Sequence, residues 1–205
     1  MMEKGKDLFA HKSKSWDMSS LRVQNAKEIA DVIIAHARLK KSSVVMDFGA
    51  GTGLLTYFIA PYVGKIVAID NSQSMLNEFV AKKDEFECET EAMLLDLTTD
   101  DIDTKFDAII SSMTLHHIED TKAIFEKFYK MLNSGGYIAI ADLDSEDGTF
   151  HSDNEGVFHL GFNREYLASV ANLVGFVDIK FQTANEIKKP NATYTVFAMT
   201  ARKDI

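Results

Sequence analysis

The sequence predicts an α/β fold, a doubly wound and mostly parallel sheet with helices on both faces. Three observations carry that reading. Short β-branched and apolar runs alternate with helical patterns through most of the chain. Those runs are apolar on both faces, as strands covered by helices on two sides must be. Only two prolines, Pro61 and Pro190, interrupt the 205 residues.

Each element follows from its residues. Ahead of the sheet, residues 20–37 read as a helix with Leu21, Ile29, Val32, Ile33 and Ala37 on one side. Residues 43–47, Ser-Val-Val-Met-Asp, form a first buried strand that runs directly into glycines. A short helix over residues 54–60 is stopped by Pro61, and residues 65–70 make the second strand. Ser72 caps the next helix, where Met75, Leu76, Phe79 and Val80 recur at helical spacing. Residues 89–95 form a third strand with a polar first half, and residues 106–112 a fourth. An amphipathic helix over 121–132 ends before Gly135-Gly136, and residues 137–142 are the fifth strand.

The pattern then changes. Residues 143–161 are polar and punctuated by glycine, with two Phe-His pairs, Phe150-His151 and Phe158-His159. Asn163 caps a helix through Val174 that Gly175 terminates. Residues 177–181 and 194–199 are strands on either side of a polar stretch, able to pair as a long antiparallel hairpin. Without repeats, low-complexity tracts or a linker, residues 1–205 read as a single domain, with residues 1–40 a helical arm.

Composition narrows the function. Twenty-two basic against 31 acidic residues leave a net charge of −9, which argues against nucleic-acid binding because phosphates call for a basic face. A single cysteine, Cys88, excludes an internal disulfide or a multi-cysteine zinc site. No apolar run approaches the ~20 residues of a membrane helix. Residues 1–7 lack the apolar core of a secretory signal, so a cytoplasmic location is expected.

After the first strand the chain reads Asp47-Phe48-Gly49-Ala50-Gly51-Thr52-Gly53-Leu54-Leu55. Alternate glycines let the backbone turn sharply out of a buried strand and approach a ligand with no Cβ in the way. The helix that follows presents free N–H groups, at the strand ends where open parallel sheets bind ligands. The second strand ends in Asp70, nineteen residues after Gly51. A carboxylate there can accept both hydroxyl hydrogens of an unphosphorylated ribose. A nicotinamide dinucleotide and S-adenosylmethionine both fit a ribose-gripping acid after a glycine turn. The dinucleotide fingerprint is G-x-G-x-x-G, whereas here the third glycine comes one residue sooner and Asp47 stands two residues before the first.

On these residues the chain resembles the class I S-adenosylmethionine-dependent methyltransferases, over about residues 40–142. The matching pieces are VVMDFGAGTG, IVAIDNSQSML, the Leu94–Leu97 stretch LLDL, FDAIISSMTLHHI and LNSGGYIAIAD, in that order. LNSGG departs from the family's more usual Lys-Pro-Gly-Gly. The resemblance implies a Rossmann-like sheet of seven strands, mostly parallel, with a C-terminal antiparallel hairpin strand, and S-adenosyl-L-methionine as cofactor. It implies that Asp47 orients the loop or meets the methionine ammonium, and that Gly49, Gly51 and Gly53 admit the cofactor. Asp70 would take the ribose hydroxyls, with Asn71 and Met75 bordering the adenine. Asp96 would accept from the adenine amino group beside Leu97, and Ser112 would face the methionine end. For each there is a plainer alternative, such as a turn cap at Asp47 or Asp96, or core packing at Met75.

A methyl leaves a sulfonium by in-line displacement, so the protein mainly aligns donor and acceptor and excludes water. An oxygen or nitrogen acceptor must also lose a proton to a nearby base. Among six histidines, His116 and His117 follow the fourth strand, and either, His116 or His117, is a candidate base. His151 and His159 lie in residues 143–161, where members of this fold often build a lid; with Phe150, Phe158 and Phe162 they could enclose a small organic acceptor. Asp142, His151, Asp153 and His159 match no metal-ligand spacing, and no metal is expected. Trp16, in the front segment, is a candidate flap over the cleft. The expected activity is methylation of a small molecule by a monomer or homodimer with no nucleic-acid or membrane partner. The alternatives are a nicotinamide-dependent oxidoreductase, for which no Tyr/Lys or His/acid set is found, and a non-catalytic cofactor-binding module.

Overall fold

The computed structural model describes residues 7–190 and 192–204. Residues 1–6, which carry most of the expectation about a secretory signal and form the front of the arm, lie outside the described residues. Seven strands form one sheet: β1 (Val44–Phe48), β2 (Lys65–Asp70), β3 (Glu89–Leu94), β4 (Phe106–Ser112), β5 (Leu132–Leu143), β6 (Phe176–Lys189) and β7 (Ala192–Lys203). Their order is β3-β2-β1-β4-β5-β7-β6. The first five run parallel, and β7 enters antiparallel between β5 and β6. The order reverses between β1 and β4, and the carboxyl ends of these two strands flank the crevice where such sheets bind ligands.

Five helices cover the faces: α1 (Ser20–His36), α2 (Leu54–Ile59), α3 (Gln73–Ala81), α4 (Thr121–Met131) and α5 (Arg164–Val174). Period-2 alternation along the strands divides the core in two. One face carries small residues, Ala68, Ala108, Ala139, Ala141 and Ala198, so that Ile29, Ala30 and Ile33 of α1 and Leu55 and Ile59 of α2 lie close to the sheet. The other carries Met46, Phe48, Ile109 and Phe197 against Phe125 and Phe128 of α4 and Leu167 of α5.

Local differences from the sequence reading have physical causes. The buried stripe of α1 is Ala26, Ile29, Ala30 and Ile33; continued backwards it reaches position 22 or 23, so Leu21 falls off it and is 65% exposed. β5 begins at Leu132, well before the expected 137, because Leu132 bridges Phe106 across an irregular register. β6 extends through the polar residues 182–189, which pair with β7 down to Lys189↔Ala192 at the sheet edge. An edge strand needs backbone pairing but little apolar surface, so a hydrophobicity signal ends too early there. Among the described residues, no helix is long and apolar enough to cross a membrane.

Candidate active site

The cleft is built first by the loop after β1. Gly49 and Ala50 donate their N–H groups to the Ile69 carbonyl at 2.8 and 3.2 Å, folding the loop back onto β2. All three alternating glycines have positive φ, yet they face different surroundings. A Cβ at Gly49 would lie 2.2 Å from the Thr114 side chain, and one at Gly53 would lie 2.7 Å from the Phe79 ring. At Gly51, with φ +56°, a Cβ would meet nothing within 4 Å. Gly51 therefore opens the cradle, while Gly49 and Gly53 let the loop pack against its neighbours.

Two carboxylates flank this loop. Asp47 is buried and accepts from Thr56 Oγ1 at 2.6 Å. Burial pushes its carboxyl up to about 7; the Thr56 hydroxyl opposes that rise, and the nearby Asp70 charge adds to it. Asp70 closes β2, with Oδ2 accepting from Gly51 N–H and Oδ1 from Ser72 N–H, both at 2.8 Å. Burial raises its carboxyl too, against the pull of those N–H groups and with the Asp7 charge adding to the rise. Each carboxylate oxygen offers two acceptor directions, so Asp70 retains capacity for a pair of hydroxyls. An open backbone at Gly51, a carboxylate at the rim and a buried acid short of a cation suit a ribose and a cationic group.

The remaining predicted residues surround that point unevenly. Asn71 is exposed just past Asp70, whereas Met75 is buried with its N–H donated to the Ser72 cap. One oxygen of Asp96 is held by the Thr98 N–H and hydroxyl at 2.9 and 2.6 Å, and Asp100 accepts the Asp96 N–H. Leu97 buries its side chain in the core with Phe48 and Ile69. Ser112 ends β4, and its carbonyl accepts from Thr114 Oγ1 at 3.2 Å.

The arm is tied to the glycine loop and to the start and end of α3. Asp7 accepts from Ser72 Oγ at 2.7 Å and Ser74 N–H at 2.9 Å. Asp17 accepts from Thr52 Oγ1 at 2.5 Å and pairs with Lys82. Phe9 meets His117 edge-on at 5.7 Å and Trp16 at 6.1 Å, and Arg22 lies 4.0 Å from the Trp16 ring centre. No sequence signal links Asp7 to Ser72 or Asp17 to Thr52; pairs 65 and 35 residues apart emerge only from the fold.

On the acceptor side, His116, His117 and His151 come together, with ring centres 4.2 to 6.0 Å apart. His116 Nδ1 bonds Asp142 Oδ1 at 2.7 Å, and its backbone N–H bonds Oδ2 at 3.0 Å. His117 Nδ1 donates to the Gly156 carbonyl at 2.7 Å. Burial, then its imidazole neighbours, brings His151 down to about 4, and burial also lowers His117. Both rings are therefore uncharged at neutral pH. Asp142 is held below the ordinary carboxylate range: burial alone would raise it, but the His116 ring and the backbone N–H groups of His116 and Leu143 outweigh that. His159 stands apart, with Nε2 on the carbonyls of Ile118 and Glu119 at 2.9 and 3.2 Å, where it ties residues 143–161 to the turn after β4. Phe150 stacks edge-on with His151, Phe162 is buried against His159, and Phe158 is 42% exposed. Among the described residues no three His, Cys, Asp or Glu converge as metal ligands.

Residues 46–138 match the family described as Methyltransferase domain, the stretch that carries both carboxylates and the glycine loop. Over that stretch the chain is similar to the class I S-adenosylmethionine-dependent methyltransferases. S-adenosylmethionine is this methyltransferase family's cofactor. An uncharacterized methyltransferase of Schizosaccharomyces pombe is 36% identical over 124 residues, 56% of this chain and 44% of that one. Phosphoethanolamine N-methyltransferase 3 of Arabidopsis thaliana is 32% identical over 122 residues, 58% of this chain and 24% of its own. The chain thus corresponds to less than half the length of either relative. Phosphoethanolamine N-methyltransferase 2 of Haemonchus contortus, solved with S-adenosyl-L-methionine, superposes with a TM-score of 0.72 at 16% identity, over 97% of this chain and 60% of that one. At that identity the likeness is one of fold.

Proposed function

We propose that this methyltransferase carries the methyl group of S-adenosylmethionine to a small-molecule acceptor bound between the lid and the ends of β4 and β5. The observation that carries the reading is the adjacency of two sites. One is an open glycine loop between the buried Asp47 and the half-buried Asp70; the other is a cluster of three imidazoles at the next two strand ends. The cofactor supplies an electrophilic methyl on a sulfonium. Asp70 holds the ribose, Gly51 lets the backbone meet the ligand, and Asp47 answers its positive charge. Asn71, Met75, Asp96 and Leu97 border the base, and Ser112 lies towards the methyl.

His117 and His151 line the acceptor's place and, being uncharged, can accept a hydrogen bond from it without repelling the cofactor's cation. The arm and lid exclude water, so that the acceptor is the nucleophile that meets the methyl. The phosphoethanolamine N-methyltransferases among the relatives make that compound the first to try. Purified protein incubated with S-adenosylmethionine and a panel of phosphoethanolamine, simple amines, phenols and hydroxy acids should yield a compound heavier by one CH₂. Binding of NADH with no response to S-adenosylhomocysteine would overturn the reading in favour of a nicotinamide enzyme. Tight S-adenosylhomocysteine binding with no product would leave a sensing module.

A further inference from the structure

We propose that His116, backed by Asp142, is the base that takes the acceptor's proton during methyl transfer; this rests on the acceptor-side reading above. His116 is 1% and Asp142 0% exposed. A carboxylate only accepts, so the 2.7 Å contact fixes the hydrogen on Nδ1 and leaves Nε2 with a lone pair. That Nε2 is buried and has no hydrogen-bond partner. A buried polar atom without a partner is costly, and it is retained where a ligand completes it.

Two neighbouring rings are borne on or tied to the lid. The His117 ring, 4.2 Å away, is tied to the lid through the Gly156 carbonyl. The His151 ring, 5.0 Å away, is borne on the lid itself, and its own Nε2 is also buried without a partner. Opening the lid therefore uncovers His116, and an acceptor bearing an O–H or N–H can take the place His151 fills. A second tie keeps the turn itself still: the His116 N–H is bonded to Asp142, and the His116 carbonyl accepts from Phe158 and His159 N–H.

The step balances. The acceptor's lone pair forms the new bond to the methyl carbon while the carbon–sulfur bond breaks, its electron pair staying on sulfur. The proton lost by the acceptor passes to His116 Nε2. One positive charge leaves the sulfonium and one appears on the imidazolium, next to the Asp142 carboxylate. The charged or titratable groups facing His116 are Asp142 from β5, His117 from its own turn and His151 from the lid. Lys12 of the arm acts on His117, and Lys189 of β6 on His151.

The test uses the full chain with phosphoethanolamine, or whichever panel compound is methylated fastest. kcat of the unaltered protein should rise with pH to a plateau, with a midpoint equal to the His116 titration read from histidine ring ¹⁵N spectra in the S-adenosylhomocysteine complex. His116→Gln should lower kcat by about 100-fold or more and abolish that rise, with S-adenosylhomocysteine affinity within about threefold. Asp142→Asn, closer in shape should the glutamine variant fold poorly, should lower kcat and move the midpoint to lower pH, because the anion favouring imidazolium is gone. A kinetic midpoint that differs from the His116 titration, or methylation by His116→Gln at the normal rate and pH profile, would overturn the proposal alone. No transfer by the unaltered protein to any compound would overturn the underlying reading and the proposal with it.

Discussion

Replacing Asp47 by Asn should affect stability and cofactor binding in opposite directions. In the folded chain burial holds the Asp47 carboxyl near 7, against 3.8 for an ordinary aspartate. Between those values the folded state keeps a proton that the unfolded state releases, so this group costs stability progressively as pH rises from about 4, and the cost levels off above 7. Each pH unit in that window is worth about 1.4 kcal/mol. Asn has no proton to lose, and its amide oxygen still accepts from Thr56 Oγ1. The stability advantage of Asp47→Asn should therefore grow by about 2 kcal/mol between pH 5.5 and pH 8.5, the contribution of the interval from 5.5 to 7. Urea unfolding without cofactor, at several pH values, measures it directly. S-adenosylmethionine binding should weaken in the same variant at pH 8, because the negative partner for its cation is lost. A stability difference that does not change with pH would refute the argument that Asp47 is a buried acid awaiting a cation.

Other consequences are equally direct. Asp70→Ala removes the acceptor of Gly51 and Ser72 N–H and the proposed acceptor of two ribose hydroxyls, and should cost on the order of 2–4 kcal/mol of S-adenosylhomocysteine affinity; calorimetry showing an unchanged Kd would remove the ribose assignment. Asp17→Ala unties the arm from Thr52 and Lys82, so the cofactor should dissociate faster in stopped-flow displacement, while an unaltered off-rate would mean the arm does not cover it. Gly49→Ala forces a Cβ into Thr114 at φ +68° and should destabilise the fold by about 2 kcal/mol or more, with Thr114→Gly restoring part of the loss in a chemical denaturation cycle.

The parallel half of the fold was legible because each strand there is buried on both faces and bounded by a cap, a glycine or a proline. Asn163 and Gly175, for example, delimit α5 as its residues predict. The edge hairpin was legible only as far as its apolar residues extend, since backbone pairing beyond Phe181 leaves no trace in hydrophobicity. At the candidate site, spacing brought Asp47, Gly51 and Asp70 to one end of the sheet, where the structure places them together, because a strand end and a glycine turn are local facts. It did not distinguish the three glycines, whose neighbours Thr114, Phe79 and Phe86 come from elsewhere in the chain. Nor did it separate His116 from His117: adjacent imidazoles look alike in a sequence, and only the position of Asp142 decides which one is held.

A crystal structure of the protein grown with S-adenosylhomocysteine bears most immediately on all of this. The nucleoside should lie over Gly51 with its ribose hydroxyls on the Asp70 carboxylate, its amino acid end towards Asp47 and its sulfur facing the His116–His151 cluster. Adenosine seated away from Gly51, or a ribose that leaves Asp70 bonded only to Gly51 and Ser72, would contradict the account.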